Sequence, residues 1–128
     1  MTTNSAKELI ETGGATLGIE LGSTRIKLCL VGENPVDVLA VGSFEWENQL
    51  IDGLWTYSIE SIWQGVAGAF ADLQANVEKN YGIHLEKLRA LGTTAMMHGY
   101  LAFDEHDEIL VPFSRVMFVG VFRMNSHC

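Results

Sequence analysis

Two strand-like segments separated by a turn of small residues constrain this chain more than any other feature. Residues 17–20 and 26–31 have the apolar composition of strands, and Gly22, Ser23 and Thr24 lie between them. Apolar runs bounded by small turn residues are typical of paired strands. The sequence therefore predicts a β-hairpin whose tip consists of three small residues, which we call the tip turn.

A third strand, a long helix and a further strand follow the hairpin. Residues 36–44 predict a strand beside the second one, so that three consecutive strands form an antiparallel meander. Ser58 is a helix N-cap residue, apolar side chains recur at three- and four-residue steps as far as Tyr81, and Gly82 ends the helix. Residues 88–95 predict a return strand. A meander, a crossover helix and a return strand indicate an α/β layer arrangement.

The remaining segments are expected to be less regular. Residues 1–15 are mostly polar and predict a flexible lead-in with at most one helical turn. Residues 45–57 place tryptophan and glycine among polar residues and predict an ordered loop. Two short strands are expected at residues 100–103 and 109–111, on either side of a charged turn.

The composition excludes several classes of partner. The 128 residues are 48% apolar and 19% charged, as expected of a packed domain. Sixteen acidic and eight basic residues give a net charge of −8, so nothing attracts the chain to nucleic acid or to an anionic membrane independently of sequence. Cys29 and Cys128 form neither a disulfide framework nor a zinc pattern. We expect a cytoplasmic protein that binds small molecules.

The tip turn has the groups that a phosphate site needs. Backbone N–H groups of small residues can converge on phosphate oxygens, and the hydroxyls of Ser23 and Thr24 add two donors. Glu20 could hold Mg²⁺ directly or through water, and Lys27 could add a positive charge. Because the turn precedes a strand and not a helix, it is neither a P-loop nor a dinucleotide-binding turn. A hairpin closure that binds no ligand is the alternative.

Two segments of the chain resemble motifs of a known family. Residues 17–27, LGIELGSTRIK, resemble the first phosphate motif of the actin-like ATPases and, within them, of the FGGY carbohydrate kinases. Those kinases open with Gly-Ile-Asp-x-Gly-Thr and have a Lys soon after. Residues 90–99, ALGTTAMMHG, resemble the xylulokinase segment in which Gln-Met-His-Gly follows a strand. The order and spacing of the motifs match the family, and the resemblance covers residues 17–112.

The resemblance implies a fold, a reaction and a phosphate site. The fold would be a ribonuclease H-like lobe of the actin-like ATPase type, and the reaction would transfer the ATP γ-phosphoryl group to a sugar hydroxyl with Mg²⁺. ATP would be bound by Glu20, Gly22, Ser23, Thr24 and Lys27. Of these residues, Glu20 would hold the metal.

The resemblance also implies a sugar site. Met97, His98 and Gly99 would line it, and the Met-His pair favours a ketopentose such as xylulose. Without the family context, a strand-end histidine bonded to a backbone carbonyl is the alternative reading of His98. Trp55 is expected to flank the sugar, whereas Trp63 is expected in the core of the helix.

The chain departs from the family pattern in three places. Glu20 stands where the family usually has Asp, and Met96 replaces a Gln. After Phe113 the resemblance ends, so residues 114–128 match nothing and the aspartate that serves the family as general base is missing. We therefore expect an incomplete copy that is inactive on its own.

These observations predict a division of the chain into three parts. Residues 1–15 are the lead-in, residues 16–113 are a partial N-terminal kinase lobe, and residues 114–128 are a non-matching segment. The apolar residues 116–122 would favour self-association if nothing covers them. A catalytically silent actin-like module that binds a nucleotide or a partner protein is the alternative function.

Overall fold

The computed structural model describes residues 2–96, 99–100, 102–110 and 113–115. This part of the chain is a mixed α/β structure with two helices and two four-stranded sheets. In chain order the elements are α1 (Thr3–Glu11), β1 (Thr16–Leu21), β2 (Arg25–Val31), β3 (Val38–Glu45), β4 (Gln49–Ile51), β5 (Leu54–Tyr57), α2 (Ile59–Tyr81), β6 (Ala90–Ala95), β7 (Gly99–Tyr100) and β8 (Phe113–Arg115).

The first sheet contains the meander that the sequence predicts. Its strand order is β3-β2-β1-β6, and the two pairs within the meander are antiparallel. After α2, strand β6 returns beside β1 and runs parallel to it. The predicted meander, crossover helix and return strand are therefore confirmed.

Helix α2 packs closely on β2 and β3, and its predicted ends are confirmed. The hydroxyl of Ser58 accepts a hydrogen bond from the N–H three residues later, and Gly82 ends the helix with a φ of 68°. A Cβ atom at Gly42 would lie only 2.4 Å from the carbonyl oxygen of Ala69, so glycine lets the helix approach the strand. Among the described residues, no helix is long and apolar enough to cross a membrane.

The expectation of a loose lead-in within residues 1–15 is wrong, because these residues contain α1. The hydroxyl of Thr2 caps the helix by accepting a hydrogen bond from the N–H of Ser5 at 3.2 Å. Ala6 and Ile10, one helical turn apart, are buried in the core. Two buried residues that are one helical turn apart do not form a repeating apolar pattern in the sequence. The helix is therefore recognised from its packing in the structure and not from the sequence.

The expectation of a loop at residues 45–57 is also wrong, because the segment forms a second hairpin. Strands β4 and β5 pair antiparallel, and the connecting Asp52 and Gly53 have φ values of 51° and 78°. An Asp-Gly pair with positive φ at both positions is a strong hairpin signal. β5 then pairs with β8, giving the second sheet the order β4-β5-β8-β7.

The expected strands at residues 100–103 and 109–111 are shorter than predicted. Within the described residues they consist of β7 and one isolated antiparallel bridge between Phe103 and Ile109. The charged turn between them is confirmed: the Asp104 carboxylate accepts hydrogen bonds from the N–H groups two and four residues later, at 2.8 and 2.9 Å. Residue 111 lies outside the described residues.

Candidate phosphate-binding site

The tip turn connects β1 to β2 at one end of the first sheet. The N–H of Gly22 donates to the carbonyl oxygen of Arg25 at 3.0 Å and closes the hairpin. A cleft with a volume of about 260 Å³ lies beside the turn. Its lining residues are Glu20, Gly22, Ser23, Thr24, Arg25 and Lys27. The structure thus brings together all five residues predicted to bind phosphate or metal, and it adds Arg25.

Two ion pairs across neighbouring strands set the charges near the cleft. Glu20 on β1 lies opposite Lys27 on β2, with 3.7 Å between Oε2 and Nζ, and both side chains are about half exposed. Arg25 pairs with Glu45 on β3 at 2.8 Å. Exposed ion pairs contribute about 0–1 kcal/mol to stability. The Glu20–Lys27 ion pair can therefore break, so that both side chains bind a ligand, with little loss of stability.

The cleft suits a metal that arrives with phosphate. Within the described part of the chain, no group of three or more His, Cys, Asp or Glu side chains could hold a metal ion. Glu20 supplies the one carboxylate among the cleft-lining residues. Mg²⁺ usually keeps several waters and binds through one or two carboxylates together with phosphate oxygens. The single carboxylate of Glu20 therefore fits a Mg²⁺ ion that also binds phosphate oxygens.

All three carbonyl groups of the tip turn accept hydrogen bonds from two aromatic residues. The indole Nε1–H of Trp46 donates to Gly22 at 2.9 Å, and the backbone N–H of Trp46 donates to Thr24 at 3.2 Å. The hydroxyl of Tyr57 donates to the carbonyl oxygen of Ser23. The two aromatic rings are stacked, with centroids 4.2 Å apart, and both residues are buried. The sequence alone does not connect either residue with the tip turn.

The direction of these carbonyls fixes the direction of the neighbouring N–H groups. In a trans peptide the C=O and the following N–H point to opposite sides, and no described peptide bond is cis. The N–H groups of Ser23 and Thr24 therefore point away from Trp46 and Tyr57, neither of which lines the cleft. Neither donates to an acceptor within the described residues. Two backbone donors and two hydroxyls are thus available to an anion.

Strand β6, which precedes the predicted sugar-site residues, ends beside the tip turn. In the parallel pairing of β1 with β6, Leu21 lies opposite Ala95. Both strands therefore end at the same edge of the sheet. Gly99 begins β7, while Met97 and His98 lie outside the described residues.

The two tryptophans named in the sequence analysis lie away from the cleft. Trp55 is on β5, 49% exposed, and does not line the cleft beside the tip turn. The expectation that Trp63 lies in the helix core is wrong, because this side chain is 67% exposed. It lines an apolar groove of about 950 Å³ between α2 and the adjacent face of β1 and β6. The groove is open because α2 packs over β2 and β3.

Comparison with solved structures shows the fold of sugar kinases. The chain is similar to the ligand-bound xylulose kinase from Lactobacillus acidophilus, with a TM-score of 0.59 and 22% identity. The gluconate kinase from the same organism gives 0.60 and 22%, and the xylulose kinase from Rhodospirillum rubrum gives 0.61 and 18%. Each match covers 78% of this chain and 19% or 20% of the kinase, so the chain spans about a fifth of the length of these proteins.

These likenesses confirm the resemblance to sugar kinases at the level of the fold. No protein-family model matches the sequence, and no curated protein matches it. The class that the fold defines is therefore a mixed α/β structure of the kind found in part of the xylulose and gluconate kinases.

Proposed function

We propose that the chain is the N-terminal part of an FGGY-type carbohydrate kinase, which transfers the γ-phosphoryl group of ATP to a sugar hydroxyl. In this proposal the first sheet and α2 belong to a ribonuclease H-like lobe of the actin-like ATPase type. The parallel pairing of β1 with β6 supports the proposal, because Leu21, which leads into the tip turn, lies opposite Ala95, the last residue of β6. Ligands of open α/β sheets bind outside the carboxyl ends of the strands, so this edge is where a phosphate donor and a sugar acceptor would meet.

The residues of the cleft would bind the phosphates and their metal. Enzymes that transfer phosphoryl groups act mainly by positioning the reactants and by neutralising the charge on the transferred group. The N–H groups and hydroxyls of Ser23 and Thr24 would bind phosphate oxygens, and Lys27 would offset negative charge. Glu20 would hold Mg²⁺ directly or through water, and the bound metal would neutralise charge on the phosphates.

We propose a ketopentose such as xylulose as the sugar. The proposal rests on the Met-His-Gly segment and is supported by the likeness of the fold to proteins described as xylulose kinases. Met97 would contact the carbon skeleton, His98 would exchange hydrogen bonds with a hydroxyl, and Gly99 would let the sugar approach the backbone. Trp55 would flank the sugar.

A catalytically silent module that binds a nucleotide or a partner protein is the second candidate. The length of the Glu20 side chain favours it, because this side chain is one methylene longer than the Asp that is usual in the family. A displaced carboxylate would still bind a magnesium–nucleotide complex. It would place the metal poorly for transfer, because an error of about 1 Å can reduce a rate on the order of a hundredfold.

A titration of the ¹⁵N-labelled full chain with Mg-ATP tests phosphate binding. We expect the amide signals of Ser23 and Thr24 to shift, because their N–H groups would donate to the ligand. Thr24→Val removes one hydroxyl donor and should weaken binding by about threefold to tenfold, the equivalent of one hydrogen bond. Thr24→Ser keeps the hydroxyl and should bind as the wild type does. Equal affinities for the two variants would show that the hydroxyl makes no contact with the nucleotide.

A second titration separates the two candidate functions. D-xylulose is added to the Mg-ATP complex of the same labelled chain, with glycerol as the comparison. A kinase of the proposed kind predicts that xylulose shifts the amide signal of Gly99 and that glycerol does so much less. Nucleotide binding without any response to xylulose would contradict the kinase and support the silent module.

A further inference from the structure

Trp46 and Tyr57 contact the backbone of the tip turn on the side opposite to the cleft. Neither residue lines the cleft, and each is more than nine-tenths buried. They therefore have no direct access to a ligand bound there. Their contacts instead determine how the peptide groups of the turn are oriented.

A turn of three small residues has little intrinsic preference for one orientation of its peptide groups. Gly22 has no side chain and restricts the backbone weakly, and rotation of the peptide plane that follows it would turn its carbonyl oxygen towards the cleft. A carbonyl oxygen in that position would repel a phosphate oxygen, because both are hydrogen-bond acceptors. The availability of the N–H donors thus depends on where the carbonyls are held.

Three hydrogen bonds hold the carbonyls on the side away from the cleft. All the donors belong to two stacked, buried aromatic residues, which are rigid compared with long polar side chains. Trp46 follows β3 directly, and Tyr57 is the last residue of β5. The donors are therefore fixed by both sheets, and the turn is anchored at each of its three residues.

We propose that Trp46 and Tyr57 are positioning residues, which hold the tip turn in its anion-binding conformation before the ligand arrives. The inference rests on the proposed function, in which the turn binds phosphate. Binding to a turn that is already ordered avoids the entropic cost of ordering it in the complex. Loss of an anchor should therefore weaken nucleotide binding, although the anchor never touches the nucleotide.

A matched pair of tyrosine variants tests the proposal. Tyr57→Phe removes the donor to Ser23 and keeps the aromatic ring stacked on Trp46. Tyr81→Phe is the control, because the hydroxyl of Tyr81 donates to the carbonyl oxygen of Leu39 at 2.8 Å, in a contact that is not part of the tip turn. In both variants a hydrogen bond from a tyrosine hydroxyl to a backbone carbonyl is removed.

We expect the two variants to differ at the tip turn. In Tyr57→Phe without ligand, the backbone order parameters of Ser23 and Thr24 should fall from rigid values of about 0.85 towards about 0.6, as measured by ¹⁵N relaxation. The Kd for Mg-ATP should rise by about threefold to tenfold, because the nucleotide must then order a turn that one hydrogen bond no longer holds. Tyr81→Phe should change neither quantity, and urea unfolding of both variants separates an effect on stability from an effect on the site.

The outcomes distinguish this inference from the proposed function. A wild-type chain whose tip amides do not respond to Mg-ATP contradicts the proposed function, and the relaxation measurement then decides whether Tyr57 orders the turn. Unchanged order parameters in Tyr57→Phe, or equal losses of affinity in both tyrosine variants, would overturn the inference. If Tyr57→Phe fails to fold, Trp46→Phe removes the indole donor, keeps an aromatic ring and gives the same test.

Discussion

At the scale of single residues, the hairpin itself requires glycine at position 22. A Cβ atom there would lie 2.6 Å from the carbonyl oxygen of Arg25, which also accepts the hydrogen bond that closes the turn. We expect Gly22→Ala to lower the free energy of unfolding by about 1–3 kcal/mol, since backbone must move to relieve the contact. The same variant should also weaken the binding of Mg-ATP.

A second glycine of the same sheet provides the control for this prediction. A Cβ atom added at Gly92 on β6 would meet no atom within 4 Å beyond its chain neighbours, and the φ of Gly92 is not in the left-handed region. Gly92→Ala should therefore leave the stability unchanged or raise it by about 0.4–1 kcal/mol through the unfolded state. Urea unfolding measures both variants. A Gly22→Ala protein as stable as Gly92→Ala would show that the turn adapts freely.

The same scale shows how much of the candidate site could be predicted from the sequence. Residues 20–27 are contiguous, so the turn and the charges beside it follow from a local motif, and the structure places them around one cleft. Trp46 and Tyr57 reach the turn from 22 or more positions away along the chain. The contact of Tyr57 depends on the hairpin of β4 and β5, which was not predicted from the sequence, whereas Trp46 directly follows β3. The residues that line the cleft could therefore be predicted from the sequence, whereas the aromatic residues that hold the backbone of the turn could not.

At the scale of secondary-structure elements, α2 protects the exposed edge of the first sheet. β3 is the edge strand, and three polar side chains of α2 bond to its backbone. Asp72 accepts from the N–H of Ser43 at 2.9 Å, and Asn76 donates to the carbonyl oxygen of Val41 at 2.8 Å. Tyr81 makes the third contact. Backbone groups of an edge strand that are already bonded cannot pair with another chain.

Replacement of Asn76 tests this protection. Asn76→Ala leaves the Val41 carbonyl without its side-chain partner, and we expect a loss of about 1 kcal/mol in the free energy of unfolding. Asn80→Ala is the control, because Asn80 is exposed on the same helix and both variants gain the same helix propensity. The difference between the two variants in urea unfolding isolates the hydrogen bond. Equal stabilities would mean that the contact contributes nothing to the fold.

The elements also differ in how well the sequence predicts them. α2 has a repeated apolar pattern over 23 residues and a cap at each end, so its bounds could be predicted. β4 has three residues and β5 has four, which is too short for alternation to be recognised. α1 is held by Ala6 and Ile10, and this tertiary contact has no local signature. Long periodic elements are encoded locally, whereas short ones depend on what they pack against.

At the scale of the whole molecule, exposed apolar surface favours self-association of the chain, whereas its net charge opposes it. Four apolar side chains that line the groove beside α2 are at least 40% exposed: Trp63, Leu91, Phe103 and Ile109. Contiguous apolar surface favours association, which would cover the groove with a second copy of the chain. The net charge of −8 on each copy opposes this association. The segment at residues 116–122, which the sequence analysis expected to promote self-association, lies outside the described residues.

Salt should shift the balance towards self-association. The screening length falls from about 30 Å at 0.01 M salt to about 3 Å at 1 M, so the repulsion between copies weakens while the apolar contact remains. We expect the average mass in sedimentation equilibrium to rise with salt. Trp63→Gln should reduce the rise because it removes the most exposed aromatic side chain of the groove. Val36→Gln, at a position that is 79% exposed outside the groove, should not reduce it. If both variants associate as the wild type does, the contact lies elsewhere on the molecule.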